Sequence, residues 1–90
     1  MEILQTPRFK KQVKKLHKKQ RQELDDAIKT VAKDPSVGEM KKGDLNGVYV
    51  YKFKMAKQLT LLAYEFYESE LQLIMLAIGS HENFYRDMKR

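Results

Sequence analysis

The sequence predicts an α+β domain in which a helical segment packs on one face of a three- or four-stranded antiparallel β-sheet. Its 90 residues, 42% of them hydrophobic, suit one domain spanning residues 1–90. The hydrophobic residues are unevenly distributed, with 14 in residues 1–45 and 21 in residues 48–78. Their spacing is helical in the first part and alternating in the second, which predicts helix first and sheet second.

The helical segment is predicted to begin at Thr6 and to end at Asp34. Thr6 can cap a helix with its hydroxyl, and Pro7 suits the first helical position. Hydrophobic residues then recur at helical spacing: Phe9, Val13, Leu16, Leu24, Ala27, Ile28 and Val31. The spacing fits one long helix or two, because neither Gly nor Pro interrupts residues 17–22. Before this segment, Ile3 and Leu4 predict no more than a short strand.

Three strands are predicted after a loop marked by Gly38, Gly43 and Asn46-Gly47. The first, Val48–Met55, alternates between an aromatic face and a face with Lys52 and Lys54. The other two, Leu59–Tyr67 and Leu71–Ile78, are joined by a short polar segment and so should be antiparallel neighbours. After Gly79, Ser80 can cap a short C-terminal helix that runs through Met88.

Charge and cysteine content narrow the classes of function. The absence of cysteine excludes disulfide scaffolds, thiolate zinc sites and thiol catalysis, and it fits a cytoplasmic protein. No apolar stretch is long enough to span a membrane. The net charge of +6 arises largely from a run without acidic residues, which consists of Arg8, Lys10, Lys11, Lys14, Lys15, Lys18, Lys19 and Arg21. Such a run favours nucleic acid or an acidic protein as a partner, although a solvated helix face has the same pattern.

Four segments of the sequence form a recognisable set: Lys42-Gly43-Asp44-Leu45-Asn46-Gly47-Val48, Tyr51-Lys52-Phe53-Lys54, Leu61-Leu62-Ala63-Tyr64 and Gly79-Ser80-His81-Glu82-Asn83-Phe84-Tyr85. Together they resemble the RelE/ParE superfamily of bacterial toxins from type II toxin–antitoxin modules. The resemblance implies a RelE-like fold with an N-terminal helical hairpin, broken near Lys18 to Arg21. It also implies a cognate antitoxin as partner, operator DNA bound through that antitoxin, and chemistry without a metal or cofactor.

The superfamily offers two toxic activities. RelE-like members bind the ribosomal A site and cut mRNA there, whereas ParE-like members poison DNA gyrase without being nucleases. Metal-independent RNA cleavage needs a base for the 2′-hydroxyl proton, cations for the phosphorane and an acid for the leaving oxygen. Lys52 and Lys54 resemble the strand lysines of RelE, which implies the cationic role and makes either a candidate base. Lysines on a solvated strand face have the same pattern. At Leu61 the sequence departs from RelE, which has an arginine there.

The C-terminal motif supplies the remaining candidates. Gly79-Ser80-His81 resembles the Gly-Thr-His of YafQ-like toxins, which implies that His81 is the general acid; its alternative is an exposed position at a helix start. Tyr85 lies one helical turn further on and can stack on an RNA base, or it can pack in the core as expected of Phe84. Arg86 is a candidate for phosphate binding.

These observations favour a ribosome-dependent mRNA endonuclease, whose partners are the ribosome and mRNA. The alternatives are a ParE-like gyrase inhibitor and a non-toxic relative that only binds its antitoxin and operator DNA. The lysines expected to contact the ribosome or the antitoxin are Lys10, Lys11, Lys14, Lys15, Lys18 and Lys19.

Overall fold

The computed structural model describes residues 1–43, 47–81 and 84 of the chain. Within these residues, two helices pack on a five-stranded sheet. The helices are α1 (Pro7–Lys14) and α2 (Lys18–Lys33), and a 3-10 turn, Pro35–Val37, follows them. The strands are β1 (Glu2–Gln5), β2 (Glu39–Met40), β3 (Tyr49–Met55), β4 (Gln58–Tyr67) and β5 (Gln72–Ser80). The predicted α+β class with N-terminal helices is confirmed. Of the predicted C-terminal helix the structure describes Ser80, His81 and Phe84 alone, and Ser80, its predicted cap, is the last residue of β5.

The helical segment is two helices, as the resemblance implied. The break lies at residues 15–17, just before the expected Lys18 to Arg21, which form the first turn of α2. α1 begins as predicted, with the Thr6 hydroxyl accepting the amide N–H of Phe9 at 3.1 Å. α2 begins after His17, whose amide N–H donates to Oε1 of Gln20 at 3.1 Å. This side-chain acceptor gives α2 a start without Gly or Pro.

The sheet has the order β1-β5-β4-β3-β2. β3, β4 and β5 are antiparallel neighbours, as predicted, and their bounds differ from the predicted ones by one or two residues. The expectation of a purely antiparallel sheet was wrong, because β1 pairs with β5 in parallel, from Glu2 opposite Gln72 to Gln5 opposite Met75. A parallel pair requires a crossover between its strands, and here α1, α2 and the following strands provide it. The two-residue β2, which was not predicted, pairs with the start of β3.

Two apolar clusters lie on opposite faces of the sheet. On the first face α1 and α2 cover the main core, whose buried members are Phe9, Leu24, Val31, Met55, Leu62, Tyr64, Leu73, Met75 and Ile78. The second face carries a smaller cluster of Val48, Val50, Leu61, Ala63, Ala77 and Phe84. Burial of Phe84 confirms that it is a core residue. In the described ranges no helix is long and apolar enough to cross a membrane.

A β-bulge changes which residues of β5 face each side. Tyr64 of β4 pairs with Met75, but Ala63 pairs with Ala77, so Leu76 is an extra residue in β5. Met75 therefore belongs to the core under the helices, whereas Ala77 belongs to the cluster on the second face. Thr6 holds the bulge, since its hydroxyl donates to the carbonyl of Leu76 at 3.0 Å.

Candidate active site

The two strand lysines lie on the second face of the sheet, on the side opposite the helices. Lys52 pairs with Leu61 and Lys54 pairs with Leu59. Because paired residues in an antiparallel sheet point to the same side, and Leu61 belongs to the cluster on the second face, both lysines share that face. Both are exposed. The structure therefore has the predicted alternation of an aromatic face and a lysine face in this strand.

His81 is placed on the same face by the end of β5. Its amide N–H donates to the carbonyl of Leu59 at 3.2 Å, which continues the pairing of Thr60 with Ser80 by one residue. Beyond the bulge, Ala77 and Gly79 face the second side. His81 follows β5 in a turn and extends this pairing by one residue, from which we infer that it faces the same side. The His81 residue is exposed.

Lys54, Leu59 and His81 thus form a row across the sheet. Neighbouring strands are about 4.8 Å apart, so the backbones of Lys54 and His81 are separated by about 10 Å. A lysine side chain and an imidazole can both reach a phosphate group bound over Leu59, between them. The row therefore offers a cation and a proton donor to one exposed anionic group.

Phe84 packs against the second face beside this row. A Cβ atom on Gly79 would lie 3.3 Å from Cδ1 of Phe84, a contact tighter than is usual. Gly79 thus leaves space for the Phe84 ring, which accounts for the glycine in the Gly79-Ser80-His81 motif. The predicted substrate-binding residues Tyr85 and Arg86 lie outside the described residues.

The basic run is in the helical layer and is not brought to the row of Lys54 and His81. All six lysines expected to contact a partner are exposed on α1, on the first turn of α2 or between the two helices: Lys10, Lys11, Lys14, Lys15, Lys18 and Lys19. Lys11 and Lys15 border a concave surface together with Pro7, Arg8 and Gln12. Lys15 also borders a cavity of about 220 Å³ with Ser80, at the end of the sheet where His81 follows.

One contact near the lysines could not be predicted from sequence. Oε1 of Glu23, on α2, accepts the amide N–H of Ala56 at 2.7 Å in the turn between β3 and β4. Glu23, Asp26 and Lys54 also border one cavity of about 220 Å³, which lies between α2 and the outer edge of β3. Glu23 and Ala56 are 33 residues apart, and nothing in the sequence distinguishes Glu23 from Asp25 and Asp26 on the same helix.

A family model matches residues 3–89 of the chain and describes the ParE-like toxins of type II bacterial toxin–antitoxin systems. The chain belongs to this family. The predicted membership of the RelE/ParE superfamily is thereby confirmed, and the protein is a toxin of a type II toxin–antitoxin system. No curated protein matches the sequence.

Solved structures share the fold of this toxin. A chain of the intact Escherichia coli RelBE toxin–antitoxin complex is 19% identical, with a TM-score of 0.70 over 88% of this toxin and 94% of that chain. A mutant of the E. coli toxin RelE in the free state is 18% identical, with a TM-score of 0.74 over 98% and 90%. The YoeB/ParE toxin from Agrobacterium tumefaciens is 17% identical, with a TM-score of 0.73 over 90% and 99%. At these identities the likeness establishes the fold alone.

Proposed function

We propose that this toxin cuts mRNA on the ribosome and so inhibits translation. The observation that carries the proposal is the row of Lys54, Leu59 and His81 on one exposed face of the sheet, with Lys52 on the same face. A gyrase poison needs no proton-transfer group, so the position of His81 beside two lysines favours phosphodiester cleavage. The proposal places the toxin in the cytoplasm, with ribosome and mRNA as its targets.

The proposed chemistry makes Lys52 and Lys54 the cationic groups and His81 the acid, and either lysine is also a candidate for the base. A base takes the proton of the 2′-hydroxyl, whose oxygen attacks the adjacent phosphorus while the bond to the 5′-oxygen breaks. The ammonium groups of Lys52 and Lys54 stabilise the extra negative charge of the phosphorane. His81 gives a proton to the departing 5′-oxygen. At the position where RelE has an arginine, this toxin has the fully buried, apolar Leu61. Lys52 and Lys54 therefore carry the cationic role without an arginine.

Residues outside this row serve binding in the proposal. Tyr85 stacks on a base of the mRNA and Arg86 binds a phosphate. The exposed lysines of the helical layer attract polyanions, either ribosomal RNA or an acidic antitoxin. Operator DNA is bound through the antitoxin.

The test is primer extension on cellular transcripts after brief expression of the toxin. We expect cuts within translated reading frames for the wild type and none for His81→Gln, because glutamine keeps polarity and approximate size but cannot transfer the proton. The matched control is His17→Gln, which removes the other, exposed histidine from the helical layer and should leave the cuts unchanged. Lys54→Met should slow cutting by about 10²- to 10³-fold, the usual effect of losing one such electrostatic group. Lys29→Met, on the exposed side of α2, is its control.

A ParE-like attack on gyrase is the second candidate, because the matching family model is that of ParE-like toxins. It predicts DNA damage without cut transcripts, and undiminished toxicity of His81→Gln. Both results together would replace the nuclease proposal with this one.

A further inference from the structure

The turn that joins β3 to β4 has an unfavourable backbone conformation. Met55 pairs with Gln58, so the loop consists of Ala56 and Lys57 alone. Their φ angles are 53° and 66°, both in the left-handed region. Two-residue loops with two positive φ angles usually contain Asn and Gly, because other side chains are strained there. An Ala-Lys loop therefore depends on contacts from outside the hairpin to hold its conformation.

Within the sheet, the end of the β3–β4 hairpin nearest the turn has no neighbouring strand on the β3 side. β2 pairs with Tyr49 and Val50 of β3, and in the described part of the chain no strand pairs with the outer edge of β3 beyond Val50. The half of β3 that carries Lys52 and Lys54 is thus bonded to β4 alone. This half is free to twist or shift at its tip unless the helical layer restrains it.

Glu23 provides that restraint. Its Oε1 atom accepts the Ala56 amide N–H at 2.7 Å, a short hydrogen bond to an ionised group. The first loop residue of a two-residue hairpin finds no acceptor within the turn itself, so the carboxylate satisfies a donor that otherwise faces water. Glu23 is held in place by α2, since the next residue, Leu24, is 2% exposed in the main core.

We infer that Glu23 is a positioning residue, which fixes the tip of the β3–β4 hairpin and thereby the distance between Lys54 and His81. The inference rests on the proposed cleavage of mRNA. Lys54 and Leu59 form the pair next to Met55 and Gln58, and the Leu59 carbonyl accepts the His81 amide at 3.2 Å. A displaced tip thus alters the spacing of the two groups that must reach one phosphate. A misplacement of about 1 Å at a reacting centre costs about 100-fold in rate.

The experiment compares single-turnover cutting by purified toxin on saturating, mRNA-programmed ribosomes with the melting temperature of each variant. Glu23→Ala should cut about 10- to 100-fold more slowly. Its melting temperature should stay close to that of the wild type, because the lost hydrogen bond is at the surface. Glu23→Gln keeps an acceptor atom and should cut nearly as fast as the wild type. Asp25→Ala, which removes an exposed carboxylate from the same helix, is the control and should change neither quantity.

A rescue separates positioning from an effect of charge. Adding Ala56→Asn and Lys57→Gly to Glu23→Ala supplies residues that favour this turn, and should restore the rate without restoring the carboxylate. Amide exchange at residue 56 should be faster in Glu23→Ala than in the wild type. Provided that the wild type cuts mRNA, the inference is overturned if Glu23→Ala cuts as fast as the wild type. It is also overturned if Glu23→Gln loses the same activity and the added Asn and Gly do not restore it. A wild type that makes no cut overturns the proposed function instead, and this inference with it.

Discussion

Removal of the Tyr64 hydroxyl should destabilise the toxin measurably. Tyr64 is fully buried, and its hydroxyl donates to the Pro35 carbonyl at 2.5 Å and accepts the Gly38 amide N–H at 3.0 Å. Tyr64→Phe keeps the ring, which stacks on Tyr49 with 5.3 Å between centroids, but leaves both backbone groups without this partner. A buried polar group that loses its partner costs about 1–3 kcal/mol. Pro35 and Gly38 are half-buried and water can reach them in part, so we expect about 1.5 kcal/mol.

Thermal unfolding followed by circular dichroism measures this loss. For a domain of this size, about 1.5 kcal/mol lowers the melting temperature by roughly 6–12 °C. Tyr67→Phe is the matched control: it removes the same atom from a residue that is 43% exposed and whose hydroxyl donates to Glu65 at 2.9 Å. Surface substitutions of this kind usually stay within about 0.5 kcal/mol. Equal melting temperatures for the two variants would refute the reasoning.

The Tyr64 hydroxyl should also make the folding stability of the toxin decrease at alkaline pH. Burial raises the pKa of Tyr64 above its ordinary value of 10.0, so the folded protein keeps a proton that the unfolded chain releases. The stability that this group contributes is complete below pH 10 and falls as the pH rises through the folded pKa. Tyr64→Phe should therefore lose less stability above pH 10 than the wild type. Identical slopes of unfolding free energy against pH would contradict this assignment.

Two further predictions concern the strained turn and the basic run. Ala56→Asn with Lys57→Gly in the wild type should raise the unfolding free energy by about 1 kcal/mol, since both residues suit positive φ angles. A melting temperature that does not rise would show that the turn carries no strain. The antitoxin should be an acidic, partly disordered peptide that folds across the basic helices and a sheet edge. Raising the salt concentration to about molar should slow its association markedly in stopped-flow measurements, and a salt-independent rate would count against electrostatic attraction by this run.

The sequence pattern predicted those elements that depend on interactions between residues close together in the chain. The alternation in β3 predicts its two faces because Tyr51 and Phe53 pack against the main core while Lys52 and Lys54 face water. The start of α1 is equally local, since Thr6 and Pro7 act within one turn. These features need no knowledge of the rest of the chain.

The parallel pairing of β1 with β5 and the position of the helix break depend on distant contacts. All four residues of β1 are exposed, so no buried face produces an alternation in the sequence. Its pairing joins residues 70 positions apart, from Glu2 with Gln72 onward. The break before α2 lacks Gly and Pro, and half-buried Leu16, which packs against the main core, lies within it. Where the chain turns is determined by the packing of the two helices on the sheet together with the Gln20 side chain, which accepts the His17 amide N–H at the start of α2.

The position of His81 shows why a candidate site cannot be derived from alternation alone. Leu73 and Met75 face the helices, and strict alternation from them would place residue 81 on that same side, away from Lys52 and Lys54. The extra residue Leu76 reverses the order, so that Ala77, and after it His81, face the second side. Leu76 and Ala77 are both apolar, so the sequence gives no signal of the bulge. The carbonyl of Leu76 is bonded to Thr6, 70 residues away, and the arrangement of Lys54 and His81 therefore depends on a contact between the two ends of the fold.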